Sequence, residues 1–229
     1  MLETLRGTRY TSHPAPMTPG FLISFEGSEG CGKSTQIQRL RSRFEALGRT
    51  VEVLREPGGT AVGEHIRQLL QHTPEAANLT PEAELLLFAA SRAQLVREKI
   101  RPALEAGHVV VLDRFLDSTT VYQGIARGLP LESVCAINQF AVGGTLPHLT
   151  FVLDMNAQAA WQRIHATGRK LDRMETQPLE FFETVRQGYL HLAVEQPGRM
   201  VVIDAAQTAE AVEARIWKLV EDRCHALQS

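Results

Sequence analysis

The 229-residue sequence is short of every feature that would mark a cross-linked, membrane-embedded or polyanion-binding chain. It has three cysteines, Cys31, Cys135 and Cys224. They are odd in number, far apart and without C-x-x-C spacing, which excludes a disulfide framework or a zinc ribbon. The eight histidines never approach one another at metal-ligand spacing. No apolar run nears the roughly 20 residues of a membrane span, and the composition suits a soluble protein of a reducing, cytoplasmic compartment. Charge of one sign is also missing: 24 Lys plus Arg against 26 Asp plus Glu give a net charge of -2. Nothing in bulk electrostatics draws the chain to nucleic acid or an anionic membrane, so any anion site must be local. What is present is ordinary, with 44% hydrophobic and 22% charged residues, enough to bury the core of one medium-sized domain.

Residues 1–20 contain Pro14, Pro16 and Pro19 without sustained periodicity and are expected to form a disordered tail. They lack the apolar stretch of a signal peptide. Arg6, Arg9 and several hydroxyl residues give a faint transit-peptide character, and Met17 could equally be the true start. From residue 21 to 229 a single domain is expected. Five short apolar runs, Phe21–Gly27, Thr50–Glu56, Val109–Arg114, Leu149–Asp154 and Met200–Asp204, alternate with longer helical stretches. Near-continuous hydrophobicity in several of them predicts strands covered on both faces. Gly48 and Gly107 mark the ends of helices starting near Lys33 and Thr80, and Thr80-Pro81 with Glu82 and Glu84 predicts an N-cap, an N1 proline and an acidic first turn. The expectation is a doubly wound α/β fold: a five-stranded parallel sheet with helices on both faces and ligands beyond the carboxyl ends of the strands.

After the first run comes Gly27-Ser28-Glu29-Gly30-Cys31-Gly32-Lys33-Ser34, matching G-x-x-x-x-G-K-[ST] at every fixed position. Between a strand and a helix, these glycines can turn backbone N–H groups toward the polyphosphate of ATP, aided by the helix N-terminus. Lys33 can reach the β and γ phosphates, and Ser34 offers a hydroxyl to Mg²⁺. Cys31 is either a small tolerated residue or, at a helix N-terminus, a reactive thiol whose alkylation would block ATP binding. No N-K-x-D guanine-reading sequence occurs, and the chain has little room for the accessory domains of most motors. A small kinase needs only the sheet, an acceptor site and a lid. Asp113-Arg114-Phe115 closes the third run, so Asp113 can organise Mg²⁺ or its waters and Arg114 can fork onto phosphate oxygens.

Together, the P-loop, Arg55-Glu56-Pro57-Gly58-Gly59-Thr60, the stretch from Phe88 to Val96, Asp113-Arg114-Phe115 with Ser118, Tyr122-Gln123-Gly124, and Leu171-Asp172-Arg173 resemble the bacterial thymidylate kinases, nucleoside monophosphate kinases of the P-loop class. Asp-Arg-Phe stands where Asp-Arg-Tyr or Asp-Arg-His is common in that family. The resemblance implies a homodimer that transfers the γ-phosphoryl group of MgATP to dTMP. It assigns Phe88 to stacking on thymine and Arg92 to the base edge; four apart on one predicted helix, the two share a face. It places Tyr122 at the sugar's 2′ position and Glu29 near the acceptor sugar and metal. Arg114, with Arg55 and Arg67, would hold the acceptor phosphate, and Glu56 and Thr119 would complete the dTMP site. The charged segment 163–175 matches the family's lid. Because this P-loop lacks an arginine, Arg169 and Arg173 are the expected lid cations.

The acceptor is already an ionised phosphate, so alignment and charge neutralisation should dominate over general-base chemistry. Three other readings stay open at this stage: a kinase for another nucleotide or small metabolite, a non-enzymatic ATP switch, and a nucleic-acid ATPase, the last disfavoured by the charge balance.

Overall fold

The computed structural model describes residues 20–166, 168 and 171–228, with side chains through residue 223. The expected tail up to residue 19 and the lid candidate Arg169 lie outside the described residues.

The chain runs β1 (Phe21–Glu26), α1 (Lys33–Ala46), β2 (Val51–Arg55), α2 (Ala61–His72), α3 (Pro81–Leu95), α4 (Arg101–Glu105), β3 (Val109–Asp113), α5 (Leu116–Thr119), α6 (Leu131–Val142), β4 (Leu149–Asp154), α7 (Ala157–His165), α8 (Leu179–Glu195), β5 (Met200–Asp204) and α9 (Ala209–Gln228). The five strands form one parallel sheet in the order β2-β3-β1-β4-β5. Each expected strand is present; β4 and β5 have the expected bounds, and β1, β2 and β3 are shorter by a residue or two where their ends turn into loops.

Period-2 alternation on the central strand separates two cores. Phe21, Ile23 and Phe25 face Ile37, Leu40 and Phe44 of α1 and Val212, Ile216 and Val220 of α9. Leu22 points the other way, with Val110 and Leu112 of β3, toward Leu95, Ile100 and Val142. Glu26, two steps beyond Ser24 and four beyond Leu22, therefore leaves the sheet on the same side as Leu22. That parity matters at the site.

The Thr80 hydroxyl caps α3 by accepting from the Ala83 N–H at 3.3 Å, with Pro81 at N1, as expected. The helix predicted to run unbroken to Gly107 instead widens into π-type turns over Val96–Ile100 before α4. Pro102 has no N–H to donate to the preceding turn, so the regular ladder cannot continue through it. A second π-type segment, Thr120–Ala126, follows α5 and carries Tyr122.

Candidate active site

The P-loop follows β1 and ends on α1. Gly32 occupies the N-cap at φ 97°, no side chain caps the helix, and its first turn holds no acid. The orphan N–H groups and the positive end of the helix dipole are thus left for an external anion. Gly30 cannot be replaced freely: at φ 77° an added Cβ would lie 2.6 Å from the Ala160 carbonyl. A cavity of about 310 Å³ opens here, lined by Gly30, Gly32, Lys33, Ser34, Thr35 and Arg163. Lys33 is 8% exposed. Its ammonium donates to the carbonyls of Gly27 at 3.2 Å and Ser28 at 2.9 Å, and lies 3.8 Å from the Cys31 sulfur.

Lys33, Ser34, Glu29 and Gly30 also line a second cleft of about 270 Å³, which extends past the ends of β2 and β3 to α3. Arg114 sits at its wall, one residue beyond β3. Its Nη2 donates to Glu29 Oε1 at 2.7 Å, and the Tyr122 hydroxyl donates to both Glu29 oxygens at 2.8 Å. The Arg114 guanidinium carbon is 5.1 Å from the centre of the Tyr122 ring, within cation–π range. Burial opposes the charge on Arg114, but the oxygens of Tyr122, Glu29, Tyr189 and Asp113 outweigh it and hold its pKa well above the ordinary value. Tyr122 is pushed well above its usual range, chiefly by burial, and keeps its proton. The same cleft is lined by Phe88, Arg92, Glu56, Arg55, Arg67, Asp113 and Thr119. Phe88 is only partly buried and belongs to no core cluster, so its ring is available to a ligand.

Arg92 is 1% exposed and forms a hub. It donates to Glu56 Oε2 at 2.8 Å, Asn138 Oδ1 at 2.7 Å, Thr119 Oγ1 at 2.8 Å and the Phe115 carbonyl at 3.4 Å. Burial raises the Glu56 carboxyl, with Arg92 pulling it back down. Glu56 Oε1 has no partner among the described residues. Arg55 is engaged by Glu64 at 2.8 Å, and Arg67 donates to the Pro57 carbonyl at 3.0 Å. Burial lowers the pKa of Arg67, and the nearby charge of Arg55 adds to this. These two arginines line the same cleft as Arg114.

The geometry brings the P-loop and an arginine-lined pocket into one cleft. The thymidylate kinase family model matches residues 25–216. The chain belongs to the thymidylate kinase family. It is 48% identical over 202 residues to the thymidylate kinase of Syntrophotalea carbinolica, covering 86% of this chain and 93% of that one. The thymidylate kinase of Deinococcus radiodurans is 44% identical over 209 residues, covering 91% of this chain and all of the relative. The crystal structure of thymidylate kinase from Ehrlichia chaffeensis superposes with a TM-score of 0.71 at 30% identity, covering 88% of this chain and 99% of that one. The chain is a kinase of the P-loop type.

The structure bears on two further residues of the sequence reading, Cys31 and Arg173. Cys31 is 2% exposed, packed into the core cluster of α1 and α9; its sulfur would lie 3.0 Å from a Cβ at Gly27. A reactive thiol needs access, so alkylation in the folded state is not expected. Arg173 does not line either of these two cavities. Its Nε donates to the Leu70 carbonyl at 3.1 Å and its Nη2 pairs with the buried Glu84. Asp172, Met174 and Glu175 of the same segment line the cleft that holds Phe88 and Arg114 instead.

Other site residues escaped the sequence reading. Asn138 and Tyr189 stand singly in α6 and α8 with no spacing signal, and Arg163 was counted in the charged segment 163–175 without an assigned contact. Ser118 and Gln123 lay inside quoted motifs but had no assigned contact. Gln123 donates to Glu84 at 2.7 Å.

Proposed function

We propose that this chain transfers the γ-phosphoryl group of ATP to dTMP, giving ADP and dTDP. The observation that carries the reading is the continuity of the cleft from Lys33 and Ser34 at the cradle, through Arg114, to the half-open ring of Phe88. A triphosphate on the P-loop and a monophosphate on Arg114 would present their phosphates to each other in one enclosure.

In this reading Gly27, Ser28, Glu29, Gly30, Cys31, Gly32, Lys33 and Ser34 cradle ATP, and backbone N–H groups provide most of the contacts. Arg114 neutralises and orients the acceptor phosphate. Glu29 fixes both the Arg114 fork and the Tyr122 hydroxyl, which stands beside the sugar. Phe88 takes the base on its face. Arg92, held by Glu56, Asn138 and Thr119, defines the far edge of the base pocket. Arg55 and Arg67 steer the incoming anion. Transfer is direct, without a covalent enzyme intermediate. Residues 163–175 act as a lid over the reactants, with Arg169 and Arg173 as its cations, and the lid excludes water when it closes. Release of Arg173 from Glu84 is part of that closure.

Ser34 and Asp113 line the same cleft, and their hard oxygen donors suit Mg²⁺, which prefers few protein ligands and retained waters. When bound, Mg²⁺ would offset charge on the ATP phosphates. Among the described residues no cluster of three or more His, Cys, Asp or Glu side chains could hold a metal unaided, so Mg²⁺ would arrive with ATP.

An ADP-release assay tests the reading: turnover is expected with dTMP and Mg²⁺ATP, and far less with dUMP, dCMP, dGMP, dAMP or no acceptor. Equal rates with and without dTMP would overturn it.

We also propose that residues 21–229 work as one kinase domain, as a cytoplasmic homodimer. Among the described residues no helix is long and apolar enough to cross a membrane, and the exposed Cys135 is a free thiol, which suits a reducing compartment. Leu86 on α3 and Phe140 on α6 are 57% and 82% exposed on helices that pack against each other. Such apolar surface favours self-association. Sedimentation equilibrium should return twice the 25.4 kDa chain mass; a monomer at micromolar concentration would refute the dimer.

A further inference from the structure

Glu26 is a fully buried carboxyl at the end of β1, with no place in the contacts assigned so far. Its parity on the strand sends it to the α5 and α8 side. Oε1 accepts the Phe115 N–H at 2.7 Å. Oε2 accepts the Ser118 hydroxyl at 2.6 Å and the Tyr189 hydroxyl at 2.9 Å. Those two hydroxyl oxygens are each 3.2 Å from Arg114 Nη1. Glu26 thus reaches Arg114 twice, through the backbone just after it and through both hydroxyls on its guanidinium.

Both routes answer a physical need. Arg114 has φ 66°, the one positive value among the described non-glycine residues. A side-chain-bearing residue holds that conformation only where its surroundings fix it. The Phe115 N–H lies directly beyond the turn, and Glu26 captures it. At the other end of the side chain, hydroxyl protons drawn toward Oε2 leave lone pairs facing Nη1. Turned the other way, the same hydroxyls would present protons to a cation.

From this geometry we infer that Glu26 is a positioning residue for Arg114: through the Phe115 N–H, Ser118 and Tyr189 it sets the angle at which the guanidinium meets the acceptor phosphate. The role rests on the proposed dTMP kinase activity and touches no substrate. Burial, followed by the charge of Asp117, raises the Glu26 pKa to about 7 against the lowering effects of Ser118, Arg114 and Tyr189. Asp117 is itself bound by Arg199 at 2.7 Å through both oxygens. A carboxyl raised in the fold costs stability progressively as pH climbs from its ordinary value of 4.5 to about 7. Removing its charge at pH 8 should therefore not lower the melting temperature.

The test is Glu26→Gln, whose amide places donors where Oε2 accepted two. At pH 8 the full-length variant is expected to melt no lower than wild type. Its KM for dTMP should rise about tenfold and its KM for ATP stay within about twofold, a split that general loosening would not produce. If Glu26→Gln does not fold, Ser118→Ala and Tyr189→Phe carry the test, since each removes one link: both should raise KM for dTMP selectively, and the double variant should do so by less than the product of the two. Wild type active on dTMP with no selective change in Glu26→Gln, or in the hydroxyl variants where that protein fails to fold, overturns the positioning role alone. Wild type with no dTMP-dependent ADP release overturns the functional reading on which it stands.

Discussion

Replacing Lys33 with alanine is expected to lower kcat about a hundredfold or more, the scale of losing a charge contact made most strongly in the transition state. The Lys33 ammonium is nearly sealed from solvent and lies against the Gly27 and Ser28 carbonyls. It is therefore held at the cradle before a nucleotide arrives, and its interaction with phosphate is made where little water competes. Arg114 is already committed to Glu29 and Gly27. Turnover measured by coupled ADP release at saturating ATP and dTMP checks this. A Lys33→Ala protein with near-normal kcat would remove Lys33 from the mechanism.

Arg114→Ala should be the most damaging change on the acceptor side, lowering kcat/KM for dTMP about a hundredfold to a thousandfold while altering KM for ATP much less. Truncating one member of a desolvated charge pair costs about 2–5 kcal/mol, part of it from the partner left behind. Here that partner is Glu29, whose side chain is 13% exposed. Without the guanidinium its carboxylate keeps only the Tyr122 hydroxyl and turns its charge toward the incoming phosphate. The loss then has two components, a missing attraction and a new repulsion. They can be separated, because Glu29→Gln added to Arg114→Ala is expected to recover part of kcat/KM. Arg114→Lys should recover little, since an ammonium cannot span Glu29 on one side and the Gly27 carbonyl with two hydroxyls on the other. Unchanged dTMP kinetics in Arg114→Ala would leave the acceptor site without its anchor.

The fold was readable because its signals are local. The three inner strands β1, β3 and β4 are buried on both faces, and a strand in that setting has few residue choices; the edge strands β2 and β5 are only partly buried. Thr80-Pro81 and the glycines of the P-loop act through their own backbone, so sequence neighbours suffice to identify them. The grouping of Phe88 with Arg92, and of Glu29 with Arg114 and Tyr122, depended on a family resemblance; spacing alone could join only the first pair. What remained hidden is set by distance in the chain. Glu26 meets Tyr189 across 163 positions, Arg92 meets Asn138 across 46, and Arg173 meets Glu84 across 89. A lone glutamate at a strand end looks like a boundary residue until the fold places two hydroxyls on it. The pairing of Arg173 could not be foreseen, because nothing local reveals a buried carboxylate on α3. The π-type turn carrying Tyr122 was equally invisible, since single side chains do not signal a widened helix.

The strand order has a consequence for how the activity could diversify. The cradle hangs from β1 and Arg114 from β3, and these two strands are hydrogen-bonded neighbours. Adjacent strands are about 4.8 Å apart, so the gap between the two anchor points is inherited from the stiffest part of the molecule. Helix α3, which carries Phe88 and Arg92, is not part of the sheet and packs on it through Leu95. A lineage could redraw the base pocket by editing that helix, and accept a different heterocycle, without re-tuning the distance across which phosphorus must travel.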